Sequence, residues 1–116
     1  HRSLPRLRRH RPDPQIELHP AAAEARGIAS DDWVVIETSR ATMRARAHLN
    51  PSLAPDVVCA QFGWWQPCAP LQLGGYPAEG ATSANYNNLI DPDTADPISG
   101  TVALRSYICQ VRRGEP

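Results

Sequence analysis

The sequence predicts a small, mainly β domain that closes into a barrel of five or six strands with one or two short helices. Twelve prolines and seven glycines divide the 116 residues into short elements, which favours strands and turns over long helices. Hydrophobic residues make up 41% of the chain and charged residues 21%, as in globular domains. We prefer a closed barrel to a sandwich because closure removes exposed strand edges.

The N-terminal part is predicted to contain an irregular arm, a strand and a helix. The arm covers residues 1–14 and is rich in Arg, and Pro12 and Pro14 oppose helix there. Residues 15–19 predict a first short strand. Residues 20–27 predict a helix of about two turns, because Pro suits the first helical position, Ala favours helix and Gly suits the C-terminal cap.

The next two segments predict a β-hairpin. Residues 33–38, "WVVIET", are β-branched or aromatic, which favours a strand. In residues 43–49, Arg44, Arg46 and His48 alternate with apolar residues. This period of two indicates a strand with one buried and one charged face. The face predicted to be buried consists of Met43, Ala45, Ala47 and Leu49.

The second half predicts two further strands and one long loop. Residues 57–62 are mostly apolar, so we expect a central strand there. Residues 67–84 are rich in Gly and Pro without a clear period, and long loops of this kind are usually functional or mobile. Residues 101–113 predict a last strand that closes the sheet.

Charge and composition exclude several classes of protein. The twelve cations are all Arg and are balanced by twelve Asp and Glu, so the net charge gives no general attraction to nucleic acid or to anionic membranes. The sequence contains no apolar run of about 18 residues, so we expect no direct membrane insertion. The chain begins with His1 and not with Met. We therefore interpret residues 1–116 as a single domain and a fragment of a larger subunit.

The three cysteines, Cys59, Cys68 and Cys109, are widely spaced and form no C-x-x-C motif. This spacing argues against a structural zinc site. Unpaired thiols favour a reducing compartment, hence the cytoplasm, with the periplasm as the alternative for the parent protein. We interpret the cysteines as small buried residues, and a disulfide between two of them stays open.

No motif for catalysis is present: the sequence lacks G-x-S-x-G, H-E-x-x-H and a Gly-rich loop that opens a helix. The acidic residues of "DPDTADP", Asp91, Asp93 and Asp96, are typical of turns and lack the spacing of a calcium loop. The chain by itself therefore carries no predicted metal ligand or catalytic residue.

Two polar and aromatic motifs are the best candidates for a binding site. Asn85, Asn87 and Asn88 fall within four positions of "SANYNNLIDP", and each carboxamide offers the acceptor and donors needed to bind a purine or pterin edge. Trp64 and Trp65 follow an apolar strand. One of them is expected in the core, and the other can cover a flat heterocycle. A purely structural loop explains these residues equally well.

The order of the motifs resembles a known family. "HPAAAEARGIASDDWVVIET" at residues 19–38, "GWW" at 63–65, and "ANYNNLID" leading to "DPISG" between 84 and 100 together resemble the C-terminal molybdopterin-dinucleotide-binding domain of the dimethyl sulfoxide reductase superfamily. The resemblance covers essentially the whole chain. It implies a double-psi β-barrel in the catalytic subunit of a molybdenum or tungsten oxidoreductase.

The resemblance also implies a ligand, bis-molybdopterin guanine dinucleotide, held between this domain and the remaining domains of its own subunit. Iron–sulfur cysteines and the metal ligand belong to other parts of such subunits, and an iron–sulfur electron-transfer subunit is the expected partner. On the matching positions, Asn85 and Asn87 are implied to meet the cofactor. The other implied contacts are Asn88 and Asp91, which support the loop, Arg2 and Ser3 in the N-terminal arm, and Trp64 or Trp65 as a wall.

Three positions depart from the family pattern. Relatives usually have Gly where Asp31 and Ala41 stand, and often His where Phe62 stands. Asp tolerates a left-handed backbone, so we expect Asp31 to keep the family's turn. Ala41 predicts a different turn type, and Phe62 removes a polar contact.

Two other functions remain open from the sequence alone. A free-standing double-psi barrel can serve as a protein- or nucleotide-interaction module, and it would have no large domain upstream. The Arg-rich arm can bind nucleic acid, in which case affinity should fall steeply with salt. Against nucleic-acid binding, prolines interrupt the arm and no aromatic platform accompanies it.

Overall fold

The computed structural model of the protein describes residues 2–105 and 107–115. It is mainly β, with a few short helical turns. The elements in chain order are α1 (Pro5–Arg8), β1 (Gln15–Leu18), α2 (Pro20–Glu24), β2 (Trp33–Glu37), β3 (Thr42–Leu49), β4 (Val58–Ala60) and β5 (Gln110–Arg113), with 3₁₀ turns at Ala69–Leu71 and Tyr86–Leu89.

The strands form one five-stranded sheet in the order β4-β1-β3-β2-β5. β2 and β3 pair antiparallel, with Val35 opposite Arg44, so the predicted hairpin is confirmed. β1 pairs parallel with β3 and antiparallel with β4. The parallel pair requires a crossover, and α2 lies within that connection, as expected for parallel strands.

The core lies on one face of β1, β2 and β3. On β3, Met43 and Ala45 are fully buried and Ala47 nearly so, which confirms the period-two prediction for these positions. Leu49 is only partly buried at the end of the strand. The other strands and α2 contribute Ile16, Leu18, Ala23, Val34 and Ile36 to the same cluster.

The helix prediction is confirmed at its start and for the left-handed backbone of Gly27, but α2 has five residues and is shorter than the two turns predicted. Pro20 is the first helical residue, and the Nδ1 atom of His19 accepts a hydrogen bond from the backbone N–H of Ala21, which caps the helix. Gly27 has a φ of 63° after a helix that ends at Glu24. Asp31 also adopts a left-handed backbone, with a φ of 71°, as expected for Asp in place of Gly.

Two segments differ from the sequence prediction. The N-terminal arm contains one α-helical turn, α1, because Pro5 suits its first positions, and the prolines that oppose helix come only later. The predicted central strand at 57–62 is wrong in place and length. β4 has three residues and pairs only with β1, at an edge of the sheet, and Cys59 is exposed there.

The last strand is also shorter than predicted. β5 covers four residues rather than the expected segment 101–113, and Val102 makes only an isolated bridge with Ala95. Ile98, Leu104 and Ile108 are exposed, so this stretch lacks the buried face that would hold it in the sheet. β4 and β5 are the outer strands, and no ladder joins them within residues 2–105 and 107–115.

In the part of the chain that the structure describes, no helix is long and apolar enough to cross a bilayer. The three cysteines are free thiols.

Candidate functional site

The asparagine cluster lies on a 3₁₀ turn beside β3. Asn85 is the N-cap of the turn, and its Oδ1 accepts from the backbone N–H of Asn87 at 3.2 Å. The Nδ2 atoms of Asn85 and Asn88 both donate to the carbonyl oxygen of Ala78, at 3.2 and 2.9 Å. These two carboxamides therefore bind the loop's own backbone.

Ser83 anchors this loop to the sheet. It is completely buried, and its hydroxyl donates to the carbonyl oxygen of Ala78 at 3.1 Å. The same hydroxyl accepts from the backbone N–H of Asn85 at 3.1 Å. The carbonyl oxygen of Ser83 accepts from the backbone N–H of Arg44 on β3 at 2.8 Å. Hydrogen bonds thus fold the loop onto itself, and one backbone bond joins it to β3.

Asn87 differs from the other two asparagines. It is exposed, and its carboxamide makes no hydrogen bond to any residue within the described ranges. It lines a cavity of about 880 Å³ between the asparagine loop and the β2–β3 turn. The polar residues on the walls are Ser39, Arg40, Thr42, Glu79, Asn87 and Asn88.

Arg40 brings charge to this cavity and also contacts the acidic turn that follows the loop. Its guanidinium lies 3.8 Å from an oxygen of Asp91 and 3.4 Å from an oxygen of Asp93. The Thr94 hydroxyl, the backbone N–H of Asp93 and the charge of Arg40 lower the pKa of Asp91. Asp91 therefore orients Arg40 at the cavity rim while it stays ionised.

A second group of predicted residues meets in the N-terminal arm. The Nη2 atom of Arg2 donates to the carbonyl oxygen of Phe62 at 2.7 Å, and the guanidinium lies 4.4 Å from the ring centre of Trp64. Trp64 is buried. The carbonyl oxygen of Ser3 accepts from the thiol of Cys68 at 3.8 Å.

Trp64 is buried and Trp65 is not, as predicted for one tryptophan of the pair. Trp64 is 5% exposed, and its indole N–H donates to Gln61 at 2.8 Å. Trp65 is half-buried, and its carbonyl oxygen accepts from the backbone N–H of Tyr76 at 2.9 Å. Trp64 is therefore packed against Arg2, and Trp65 is the less buried of the two.

The predicted site residues thus form two groups. One group lies in or beside the arm and consists of Arg2, Ser3, Trp64 and Trp65. In the other group Asn87 and Asn88 line the cavity, Asn85 caps the same 3₁₀ turn, and Asp91 lies beside Arg40. No hydrogen bond or ion pair joins the two groups within the ranges described. The sequence prediction missed Arg40, whose only signal was its place in a turn before a strand, and Arg8, which no motif marks.

The polar side chains of the cavity suit a heterocyclic ligand that both donates and accepts hydrogen bonds. Glu79 on the wall and the nearby carboxylates of Asp91 and Asp93 offset the positive charge of Arg40. Asn87 offers both donors and an acceptor, Arg40 offers a guanidinium, and Ser39 and Thr42 offer hydroxyls. Guanidinium and carboxamide groups bind phosphates and purine edges. Among residues 2–105 and 107–115, no group of three His, Cys, Asp or Glu side chains is placed to hold a metal.

Comparison with known proteins places the chain in a family. A model of the molydopterin dinucleotide binding domain matches residues 1–108. Dopamine dehydroxylase from Eggerthella lenta is 35% identical over 116 residues, which are 100% of this chain and 11% of that protein. Acetylene hydratase from Syntrophotalea acetylenica is 31% identical over 107 residues, which are 88% of this chain and 14% of that protein.

A solved structure gives the same result. Acetylene hydratase from Pelobacter acetylenicus superposes with a TM-score of 0.77 at 26% identity, over 93% of this chain and 15% of that one. The chain therefore spans only a small part of the relatives it matches. The match at residues 1–108 includes the N-terminal arm, both tryptophans and the asparagine loop. The chain belongs to the family of molydopterin dinucleotide binding domains.

Proposed function

We propose that this domain holds a guanylyl-pyranopterin cofactor, bis-molybdopterin guanine dinucleotide, within the catalytic subunit of a larger molybdenum or tungsten oxidoreductase. The observation that carries the proposal is the pairing of a family match across residues 1–108 with an unengaged carboxamide, Asn87, at a cavity that also holds Arg40. The cofactor supplies the two-electron chemistry when bound. This chain's residues bind and orient it.

Asn87 and Arg40 are the residues we assign to direct contact. No described residue hydrogen-bonds the Asn87 carboxamide, so its donors and acceptor suit a purine or pterin edge. The Arg40 guanidinium, which lies beside Asp91 and Asp93, suits a phosphate oxygen. Asn85 and Asn88 are assigned a supporting role, since their Nδ2 atoms are engaged by Ala78. Arg2 and Trp65 are assigned to the second contact, in the arm.

The wider assignment follows from the same family membership. We propose that the sheet is part of a double-psi barrel and that the remaining domains of the same subunit cover the cofactor from the other side. The short pairing of β4 and the exposed Ile98, Leu104 and Ile108 are consistent with a surface that another domain covers. An iron–sulfur partner subunit and a cytoplasmic location complete the proposal, as expected for such enzymes and for free thiols.

The test uses the full-length polypeptide that carries this domain. Asn87→Ala is expected to lower the molybdenum or tungsten content and the guanine nucleotide released on denaturation, while the unfolding temperature stays unchanged. Asn50→Ala is the matched control: Asn50 is a half-buried asparagine of the loop after β3 that hydrogen-bonds Glu17 and lies outside the cavity. Full metal and nucleotide content in the Asn87 variant would reject the assignment of Asn87.

The same preparation separates the alternative function. If the domain is a free-standing interaction module, the wild-type polypeptide carries neither metal nor guanine nucleotide after purification. The proposed function then fails as a whole, and not only at Asn87.

A further inference from the structure

Arg8 is a charged residue that the fold buries almost completely. It lies in α1 with 1% of its surface exposed. Charged side chains are almost never buried without partners, and none of the described carboxylates forms an ion pair with it. Its partners are instead three backbone carbonyl oxygens and one aromatic ring.

The three carbonyl oxygens come from separate segments of the chain. The Nε atom of Arg8 donates to the carbonyl of Pro12 at 2.7 Å. The Nη1 atom donates to the carbonyl of Arg2 at 3.2 Å and to that of Gln66 at 3.0 Å. One rigid guanidinium thus joins the start of the arm, the end of the arm and the loop that carries both tryptophans.

Arg8 also shares its aromatic partner with Arg2. The guanidinium carbon atoms of Arg2 and Arg8 lie 4.4 and 4.9 Å from the ring centre of Trp64. The Nε atom of Arg2 is buried and has no hydrogen-bond partner within the described ranges. Burial and the charge of Arg8 lower the pKa of Arg2, as expected for two close cations.

We propose that Arg8 is a positioning residue that fixes Arg2 and the Trp64–Gln66 loop in one arrangement, so that Arg2 presents an unneutralised positive charge to a phosphate-bearing ligand. The proposal rests on the proposed function, because that ligand is the dinucleotide cofactor. Two adjacent guanidinium groups that form an ion pair with none of the described carboxylates favour an anion. Lys cannot replace Arg8, because an ammonium group lacks the planar fork that reaches several acceptors.

The experiment measures how fast the full-length, cofactor-loaded polypeptide releases guanine nucleotide well below its unfolding temperature. Arg8→Met is expected to release it about tenfold faster, the factor that corresponds to one lost hydrogen bond to a charged group. The Arg8→Lys variant is expected to release the nucleotide nearly as fast as the Arg8→Met variant. Arg6→Met is the matched control, because Arg6 lies on the same helical turn and is exposed.

A double-mutant cycle separates positioning from general destabilisation. If Arg8 acts through Arg2, Arg2→Met and Arg8→Met together release nucleotide no faster than the more severe single variant. When Asn87→Ala and Arg8→Met are combined, their factors of acceleration in nucleotide release should multiply, because Asn87 and Arg8 belong to separate contacts. The proposal would be overturned if the factors of acceleration multiply in both pairs of variants. It would also be overturned if the Arg8→Lys variant releases nucleotide at the wild-type rate.

The remaining outcomes are also decisive. If Arg8→Met fails to fold, Arg8→Lys alone carries the test, since it keeps the charge and removes the fork. If Asn87→Ala accelerates release and Arg8→Met does not, the Arg8 proposal fails while the proposed function stands. If the purified wild-type polypeptide contains no guanine nucleotide, both the Arg8 proposal and the proposed function are rejected.

Discussion

Asn88 donates from Nδ2 to the carbonyl oxygen of Ala78 at 2.9 Å, across ten residues of chain. Asn85 reaches the same oxygen at 3.2 Å. The two carboxamides therefore close the loop on itself. Asn87 and Asn88 both line the cavity, and of the two only Asn87 has a carboxamide without a hydrogen bond to a described residue. Asn85 and Asn88 therefore stabilise the loop, whereas Asn87 is assigned to binding. Substitutions at these neighbouring positions should differ in their effect on the free energy of unfolding.

Asn85→Ala and Asn88→Ala should each lower the free energy of unfolding of the chain by about 1 kcal/mol, the usual cost of a lost cap or hydrogen bond. Asn87→Ala should stay within about 0.5 kcal/mol of the wild type, as exposed substitutions usually do. Urea unfolding measures all three. An Asn87 variant as unstable as the other two would contradict the division.

The core contacts of β1 predict a large effect of Ile16→Ala. Ile16 is fully buried in the main cluster, so the substitution should cost about 2–5 kcal/mol in unfolding free energy. Ile108 offers the matched control, because it is 93% exposed and Ile108→Ala should change stability by less than about 0.5 kcal/mol. Equal losses in the two variants would mean that the segment before β5 packs into the core.

Tyr76 should make stability depend on alkaline pH. Burial and the hydrogen bond and charge of Asp13 raise the pKa of Tyr76 to about 12, against about 10 in an unfolded chain. The unfolded state therefore loses its proton first, so stability is full below pH of about 10 and falls as pH rises towards about 12. Absorbance of the phenolate gives the titration, and unfolding curves give the stability.

Tyr76→Phe is the control for this pH dependence. Phe keeps the ring beside Trp33, whose centre lies 6.1 Å away, and removes the hydroxyl that donates to Asp13 at 2.9 Å. The part of the alkaline loss that belongs to Tyr76 should disappear. If the stability profile of the Phe variant is identical to that of the wild type, Tyr76 does not contribute as described.

The three thiols should react with iodoacetamide in a fixed order. Cys59 is exposed on the edge strand and should react first. Burial raises the pKa of Cys109, which lowers its thiolate fraction and slows alkylation. Cys68 is 1% exposed and should react last, only when the arm opens. Mass spectrometry of timed samples checks the order, and early labelling of Cys68 would contradict the packing of Ser3 against it.

Local chemistry explains the elements that sequence predicted well. The alternation of Ala45 and Arg44 fixes the two faces of β3, and the residues around Gly27 fix a helix end. Asp31 takes the left-handed backbone that its side chain tolerates. In each of these cases the cause lies within a few residues of its effect.

The errors have a different origin. The apolar segment 57–62 was predicted to be central, but strand order depends on which neighbours pair, and β4 has β1 on one side only. The helical turn at Pro5 forms because Pro12 and Pro14 oppose helix only in the residues near them. The composition of these short segments does not predict which strands pair or which residues are buried.

The sequence by itself determined the kind of domain: the alternating hairpin, the capped helix and the order of the Trp and Asn motifs are local patterns that belong to one family. Only the tertiary structure decided which groups are free to bind. Ala78 and Gln66 satisfy Asn88 and Arg8 through backbone carbonyls, and a backbone carbonyl is the same in every residue type, so no sequence pattern reveals it as a partner.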